Sequence, residues 1–292
     1  MYALGEDIIR QCNEQNCRIC DIVLVNEARL QECTVNEIRQ KLWESFEVMD
    51  RSCRRTLTRE IPSLSGLTSG SAMRLNAYQK HDDPLCGEWL IKGVAYALSC
   101  FEVNTSMGCI CAAPTAGSCG ILPGALIAAA EKQGAGKEKI IDALATASGI
   151  GQIIYKNATI SGAEGGCQAE CGSASAMAAA AIVEMRGGSV QQSFDAAATT
   201  LKNVMGLVCD PIAGLVEVPC AKRNAIGVAN AMLSADLALA GIGSIVPFDE
   251  VVTAMYKVGK SLPHELRETA LGGIAATKTG LRIKEELLGS SM

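Results

Sequence analysis

The residues best equipped for chemistry are crowded into Ser161-Gly162-Ala163-Glu164-Gly165-Gly166-Cys167-Gln168-Ala169-Glu170, where a thiol, two carboxylates and an amide flank a glycine pair. Glycine reaches backbone angles that other residues avoid and lets another group come close. A Gly-Gly-Cys entering a helix can therefore present its sulfur to a metal or a substrate. The chain has fourteen cysteines. It is long and alanine-rich, and Met1-Tyr2-Ala3-Leu4-Gly5-Glu6-Asp7 lacks the basic region and apolar run of a signal peptide. Reduced thiols in a cytoplasmic protein, some of them metal ligands, fit this better than a secreted disulfide scaffold. The two histidines, His81 and His264, lie far apart and begin no H-x-x-x-H pair, so they add little to a metal site.

Thiols in loops beside glycine and proline are better candidates than thiols on helix faces, which favours Cys109, Cys111, Cys119, Cys167, Cys209 and Cys220. Spacing alone does not say which of them act together. Cys12, Cys17 and Cys20 match the C-x4-C-x2-C start of plant-type ferredoxins. Their charged, helix-forming neighbours, and those of Cys33, mark them instead as ordinary packing or surface thiols.

Two loops are rich in groups that could hold a small polar ligand. Residues 61–71 carry Ser63, Ser65, Thr68, Ser69 and Ser71 around Gly66 and Gly70, and read either as a ligand cradle or as a solvated linker. Residues 109–124 combine Pro114 and Pro123 with Gly117, Gly120 and Gly124 in an otherwise apolar run. A buried irregular backbone must find partners, so this loop either wraps a ligand or docks on other backbone. Its glycine spacing is not that of a Walker loop, and no Gly-Lys-Ser/Thr follows.

The elements that position these loops read as helix after helix. An amphipathic start near residues 5–15 is followed by Thr34-Val35-Asn36-Glu37, a capping box opening an apolar-faced helix to about Thr58. Further helices are expected near 87–107, 123–133, 137–155, from the Cys167 stretch to Met185, and from the Ser189-Val190-Gln191-Gln192 capping box to about Gly206. Pro219 is placed to open a long helix toward Gly241, and three more follow near 248–258, 264–276 and 281–288. No strand alternation or β-α-β rhythm occurs, and Leu215-Val216-Glu217-Val218 is too short to make a sheet. The expected fold is mostly α, a multi-helix catalytic domain with long irregular loops around a metal-cluster site. One domain over 1–292 is expected, with residues 1–58 as a possible small amino-terminal lobe.

With 26 basic and 31 acidic residues the net charge is −5, which gives no reason to expect nucleic acid or an anionic membrane as partner. The apolar segment 228–246 contains Asn230 and Asp236, which are costly in lipid, so it reads as a buried helix.

Four stretches resemble the α subunit of bacterial iron-sulfur-dependent L-serine dehydratase. They are Ser-Gly-Leu-Thr-Ser-Gly at 65–70, Ala-Ala-Pro-Thr-Ala-Gly-Ser-Cys-Gly-Ile-Leu-Pro-Gly at 112–124, Ile-Ser-Gly-Ala-Glu-Gly-Gly-Cys-Gln-Ala-Glu at 160–170, and Gly-Leu-Val-Cys-Asp-Pro-Ile-Ala-Gly-Leu-Val-Glu-Val-Pro-Cys-Ala-Lys-Arg-Asn at 206–224. The resemblance covers nearly the whole chain in order. It implies an oxygen-sensitive lyase that converts L-serine to pyruvate and ammonia with a 4Fe-4S cluster in place of pyridoxal phosphate. It implies as cluster ligands Cys167, Cys209 and Cys220, separated by 42 and 11 residues, and a separate β subunit as partner. Cys171 and the amino-terminal cysteines fall outside the family pattern. The closing Ser290-Ser291-Met292 has no cysteine, so no capping thiol is expected from that end.

Three cysteine ligands on a four-iron cluster leave one iron open to act as a Lewis acid on the serine hydroxyl. Ser65, Thr68, Thr115, Gly117 and Ser118 are the candidates for holding the substrate carboxylate and amine. Arg223 could pair that carboxylate through its fork or serve a structural ion pair. Lys156, Ser161 and Glu164 precede the first cluster cysteine and are the candidates for the base. Glu164 and Glu170 could instead support the cluster loop. A cluster-binding redox or structural protein without turnover remains the other reading; the hydroxyl-rich loops speak against it.

Overall fold

The computed structural model describes residues 2–289, and the Ser290-Ser291-Met292 end lies outside them. Thirteen α-helices and no strand occur among the described residues, as expected for a mostly α protein. Three of them, α1 (Gly5–Gln15), α2 (Ile19–Leu30) and α3 (Val35–Arg54), precede the hydroxyl-rich loop. Then come α4 (Ser71–His81), α5 (Glu88–Thr105), α6 (Ile121–Gln133), α7 (Lys137–Asn157) and the one-turn α8 (Gly162–Gly165). The remainder are α9 (Ser173–Met185), α10 (Val190–Asn203), α11 (Cys220–Leu239), α12 (Phe248–Ser261) and α13 (Lys278–Leu288).

At the centre lies α9, whose Ser-Ala-Ser-Ala-Met-Ala-Ala-Ala-Ala run is apolar or small all round and buried on every side. A helix without a polar face must be enclosed, and small side chains let its neighbours approach closely. It is enclosed by α6, α7, α10 and α11. Around it Ile150, Phe194 and Leu201 are fully buried, each contributing about 1.5–3 kcal/mol of transfer free energy. The amino-terminal helices join this core: α2 lies along α7, and α3 touches α5, α6 and α7. No helix among the described residues is long and apolar enough to cross a membrane.

Both capping boxes form. The Thr34 hydroxyl accepts from the Glu37 N–H at 3.2 Å and Ser189 from Gln192 at 3.2 Å. Three other helices have their first N–H groups capped by a distant carboxylate. Asp249 of α12 accepts from Gly5 and Glu6, Glu184 of α9 from Ile19 and Cys20, and Glu102 of α5 from Ser71 and Ala72. Each satisfies donors that the helix cannot pair internally, worth about 1 kcal/mol per cap. At α2 this adds to a local contact, the Arg18 N–H donating to Asp21 at 3.0 Å, whereas α4 has no local side-chain cap.

The single helix expected over 264–276 is absent. Two short 3-10 turns, His264–Leu266 and Gly273–Ala276, are joined by irregular backbone in which Glu268 and Ala270 take φ values of 63° and 55°. Left-handed residues stop an α-helix. The segment instead runs beside Cys209, whose N–H donates to the Leu266 carbonyl at 2.8 Å and whose carbonyl accepts from the Glu268 N–H at 2.7 Å.

Candidate metal and substrate site

Cys167 follows α8 and opens a π-helical turn, Gln168–Gly172, that feeds α9. Such one-turn bulges recur at functional sites because they re-aim a side chain without ending the helix. The preceding Gly166 has φ of 75°, and a Cβ there would lie 2.6 Å from Leu262 Cδ1 and 2.8 Å from the Leu207 carbonyl, so both conformation and space demand glycine. Gln168, fully buried, ties the turn to its surroundings: its amide donates to the Met255 carbonyl at 3.0 Å, and its Oε1 accepts from the Gly206 N–H at 2.8 Å.

Cys209 is held by the 264–268 segment described above. Next to it the buried Asp210 carboxylate accepts from Arg223 Nη2 at 2.7 Å and from the Ile274 N–H at 2.8 Å. Cys220 is the first residue of α11. Asn224, one turn later and fully buried, donates to the carbonyls of Cys220 and Gly117 and accepts from the Gly120 N–H. One amide thereby fastens the 109–120 loop to the turn that carries Cys220. This loop is irregular as expected, with a 3-10 turn at Ala116–Ser118.

These supports bring one ligand atom each from Cys167, Glu170 and Cys209 within 4.8 Å of one another. The Cys171 sulfur lies 3.6 Å from that of Cys167. Cys220 is buried but is not one of these three, and burial, then the Cys167 charge, push its thiol up to about 12. The neighbouring S–H groups of Cys171 and Cys209, and then the Arg223 charge, hold the Cys167 thiol well below its ordinary range. Cys209 and Cys171 are raised in consequence. Buried thiols that converge in this way are what a soft-metal site prepares, since metal binding releases their protons.

Glu170 is raised to about 7, first by burial and then by the Cys167 charge, with the nearby Thr115 hydroxyl opposing. Two glycines make room for it. A Cβ on Gly162 would come within 2.7 Å of its Oε2 and 3.1 Å of Cys209 Sγ, and one on Gly117 within 3.3 Å of its Oε1.

A cavity of about 590 Å³ opens beside this cluster, lined by Ser65, Thr115, Gly117, Glu170, Glu217 and Glu268 and rimmed by Leu64, Met107 and Leu287. Burial, and then the Cys167 charge, raises Glu268. Of the substrate-holding residues expected from the sequence, Ser65, Thr115 and Gly117 line the cavity. Ser118 is buried behind Thr115, sharing a hydrogen bond of 3.0 Å with it. Thr68 is buried and spends its hydroxyl on Glu217 at 2.9 Å.

Arg223 takes the ion-pair role with Asp210, and its Nη1 is buried with no hydrogen-bond partner. Of the candidate bases, Lys156 holds its ammonium 5.6 Å from the Tyr2 ring centre, Ser161 stands at the start of α8 with no capping bond from its hydroxyl, and Glu164 is exposed. None of the three lines the cavity.

Among the described residues Cys12, Cys17, Cys20 and Cys33 form no metal-ligating group. Cys109 is exposed and Cys111 partly so. The sequence reading overlooked Glu217, Asp210, Asn224 and Glu268. Glu217 leaves a signal, being with Asp210 one of two carboxylates between two motif cysteines.

A family model described as serine dehydratase alpha chain matches residues 14–275. The chain is 52% identical over 288 residues to the L-serine dehydratase, alpha chain, of Peptoniphilus asaccharolyticus, covering 99% of each. It is 48% identical over 292 residues to the probable L-serine dehydratase, alpha chain, of Bacillus subtilis (strain 168), covering 100% of this chain and 97% of that one. To an L-serine dehydratase of Streptomyces coelicolor it is 35% identical over 280 residues, covering 94% of this chain and 60% of the relative.

Proposed function

The chain belongs to the serine dehydratase alpha chain family, and from that premise we propose that it is a lyase subunit converting L-serine to pyruvate and ammonia, with a 4Fe-4S cluster held by Cys167, Cys209 and Cys220. The observation that carries this reading is the convergence of the Cys167 and Cys209 sulfurs with Glu170, within 4.8 Å, at the wall of a cavity. The residues fit such a group: the thiols are buried, glycine leaves room beside Cys209 and Glu170, and Arg223 Nη1 is a buried donor without a partner. A donor in that position suits the sulfur of a cluster.

When bound through three cysteines, such a cluster keeps one iron free of protein ligands and supplies Lewis-acid chemistry for the departure of hydroxide, a poor leaving group. The protein's own groups do the rest. Ser65 and the backbone around Thr115, Gly117 and Ser118 receive the substrate, with Thr68 supporting from behind. Glu170 stands between the thiols and the cavity and takes the α-proton. The nearby Thr115 hydroxyl favours its ionised form. Loss of water leaves aminoacrylate, which tautomerises to an imine and is hydrolysed to pyruvate and ammonia. Pyridoxal phosphate has no part in this scheme.

The Peptoniphilus and Bacillus relatives match end to end, whereas the Streptomyces relative is longer than the region matched. This favours a β subunit that supplies the remainder, with residues 1–292 acting as one catalytic unit. An oxygen-sensitive cluster and many reduced thiols suit the cytoplasm.

Anaerobic protein, alone and mixed with its β subunit, is to be assayed for iron, acid-labile sulfide and pyruvate formation from L-serine. Four irons with sulfide, and activity lost on iron chelation, support the reading. Full activity without iron, or a requirement for added pyridoxal phosphate, overturns it.

A further inference from the structure

Glu217 sits in the linker between Cys209 and Cys220 and is 5% exposed. Its Oε2 accepts from the Ser63 hydroxyl at 2.7 Å and the Thr68 hydroxyl at 2.9 Å. Its Oε1 has a single long contact, the Ser65 N–H at 3.4 Å. Among the described residues no lysine, arginine or histidine pairs with it. Burying a carboxylate without a cation is costly, and hydroxyl donors offset only part of that cost.

The cavity that Glu217 lines gives a second, independent observation. Three carboxylates, Glu170, Glu217 and Glu268, line it, and no basic side chain does. Such a wall rejects a simple anion and favours a ligand that brings its own positive charge. The three acids are not equivalent. Glu170 lies against the thiols, and Glu268 sits on the left-handed backbone that pairs with Cys209. Glu217 alone has one oxygen fixed by two hydroxyls and the other left under-bonded.

We propose that Glu217 Oε1 binds the α-ammonium of the amino-acid substrate. This rests on the dehydratase reading above and adds to it the feature that selects an amino acid over a hydroxy acid of the same size. An ammonium brings three donors and a full charge to an acceptor with spare lone pairs, a charge-assisted bond of the stronger kind. The Ser63 and Thr68 hydroxyls become positioning groups that hold the carboxylate for it.

The test uses the cluster-loaded enzyme with its β subunit. Binding of L-serine and of L-glycerate, which has a hydroxyl in place of the amine, is measured by calorimetry for the wild type, Glu217→Gln and Thr68→Val, alongside KM and kcat. Glutamine keeps an acceptor for Ser63 and Thr68 but removes the charge. The expected result is at least about a tenfold loss of L-serine affinity in Glu217→Gln, seen in KM more than kcat, with L-glycerate binding unchanged or tighter. Thr68→Val, which removes one of the two hydroxyls holding that carboxylate, is expected to lose part of the preference for L-serine, less than Glu217→Gln does.

Equal losses for both ligands, or unchanged L-serine affinity, overturn the assignment. Should Glu217→Gln fail to fold, the wild type decides alone: L-glycerate binding as tightly as L-serine overturns it too. A wild type that binds iron but makes no pyruvate from L-serine defeats the dehydratase reading, whatever Glu217 does.

Discussion

Arg223 and Asp210 form a buried ion pair, with Nη2 donating to the carboxylate at 2.7 Å and both side chains largely out of solvent. The same carboxylate receives the Ile274 N–H, so one aspartate ties the start of α11 to the 273–276 turn and sits next to Cys209. Asp210→Asn leaves the guanidinium without its counter-charge. Removing one partner of a buried pair costs about 3–5 kcal/mol. Denaturant unfolding of the cluster-free protein should show that loss, and iron content after reconstitution should fall with it. Unchanged stability would mean that the pair is dispensable.

Gly166 makes a sharper test of the Cys167 turn. With φ of 75° and no room for a Cβ, Gly166→Ala adds both strain and a clash with the Leu207 carbonyl. A loss of about 2 kcal/mol or more is expected. Gly134 has a similar φ of 65° but nothing near its Cβ position, so Gly134→Ala serves as the control. It should lose stability but retain iron, while Gly166→Ala loses both.

The four thiols around the site should behave differently. Cys167→Ser, Cys209→Ser and Cys220→Ser are each expected to abolish stoichiometric iron binding. Cys171→Ser should keep it, although its sulfur is only 3.6 Å from that of Cys167. Iron and sulfide assays on the four purified variants separate them. Iron lost from the Cys171 variant but retained in the Cys220 variant would exchange their roles.

Glu170 sets a pH dependence in the cluster-free protein. Its carboxyl is raised from 4.5 to about 7 by burial and by the Cys167 charge. The folded state therefore binds its proton more tightly than the unfolded state does. The resulting stability is fully present below about pH 4.5 and is lost as pH rises through 7, on the order of 3 kcal/mol in all. Glu170→Gln, which stays neutral, should flatten that decline in unfolding experiments between pH 5 and 8. A wild type and variant with parallel pH profiles would refute the shift. In the loaded enzyme Glu170→Gln should lower kcat by about a hundredfold or more, if it moves the α-proton.

Much of the framework was legible along the chain. Capping boxes at Thr34 and Ser189, apolar spacing in α3, and proline and glycine at the loop ends act over a few residues, so α1, α3, α6, α10 and α11 could be read locally. α4 was not legible, because the carboxylate that caps it, Glu102, is 31 positions away; α2 has a local signal in Asp21, but Glu184, which caps its first N–H groups, is 165 positions away. The stretch 264–276 has helix-forming residues, but its backbone hydrogen bonds go to Cys209, and that partner overrides local preference.

The candidate site divides the same way. Residue types and local spacing marked Cys167 beside its glycines, and the family motif supplied Cys209 and Cys220 as its partners. The sequence could not say that Glu170 turns toward the Cys209 sulfur through a π-helical turn, that Arg223 is committed to Asp210, or that Glu217 gathers Ser63 and Thr68 around a carboxylate facing the cavity. Those relations join residues up to 154 positions apart. Chemistry of this kind depends on distances of a few ångströms and on exclusion of water, and only packing the helices around α9 sets either.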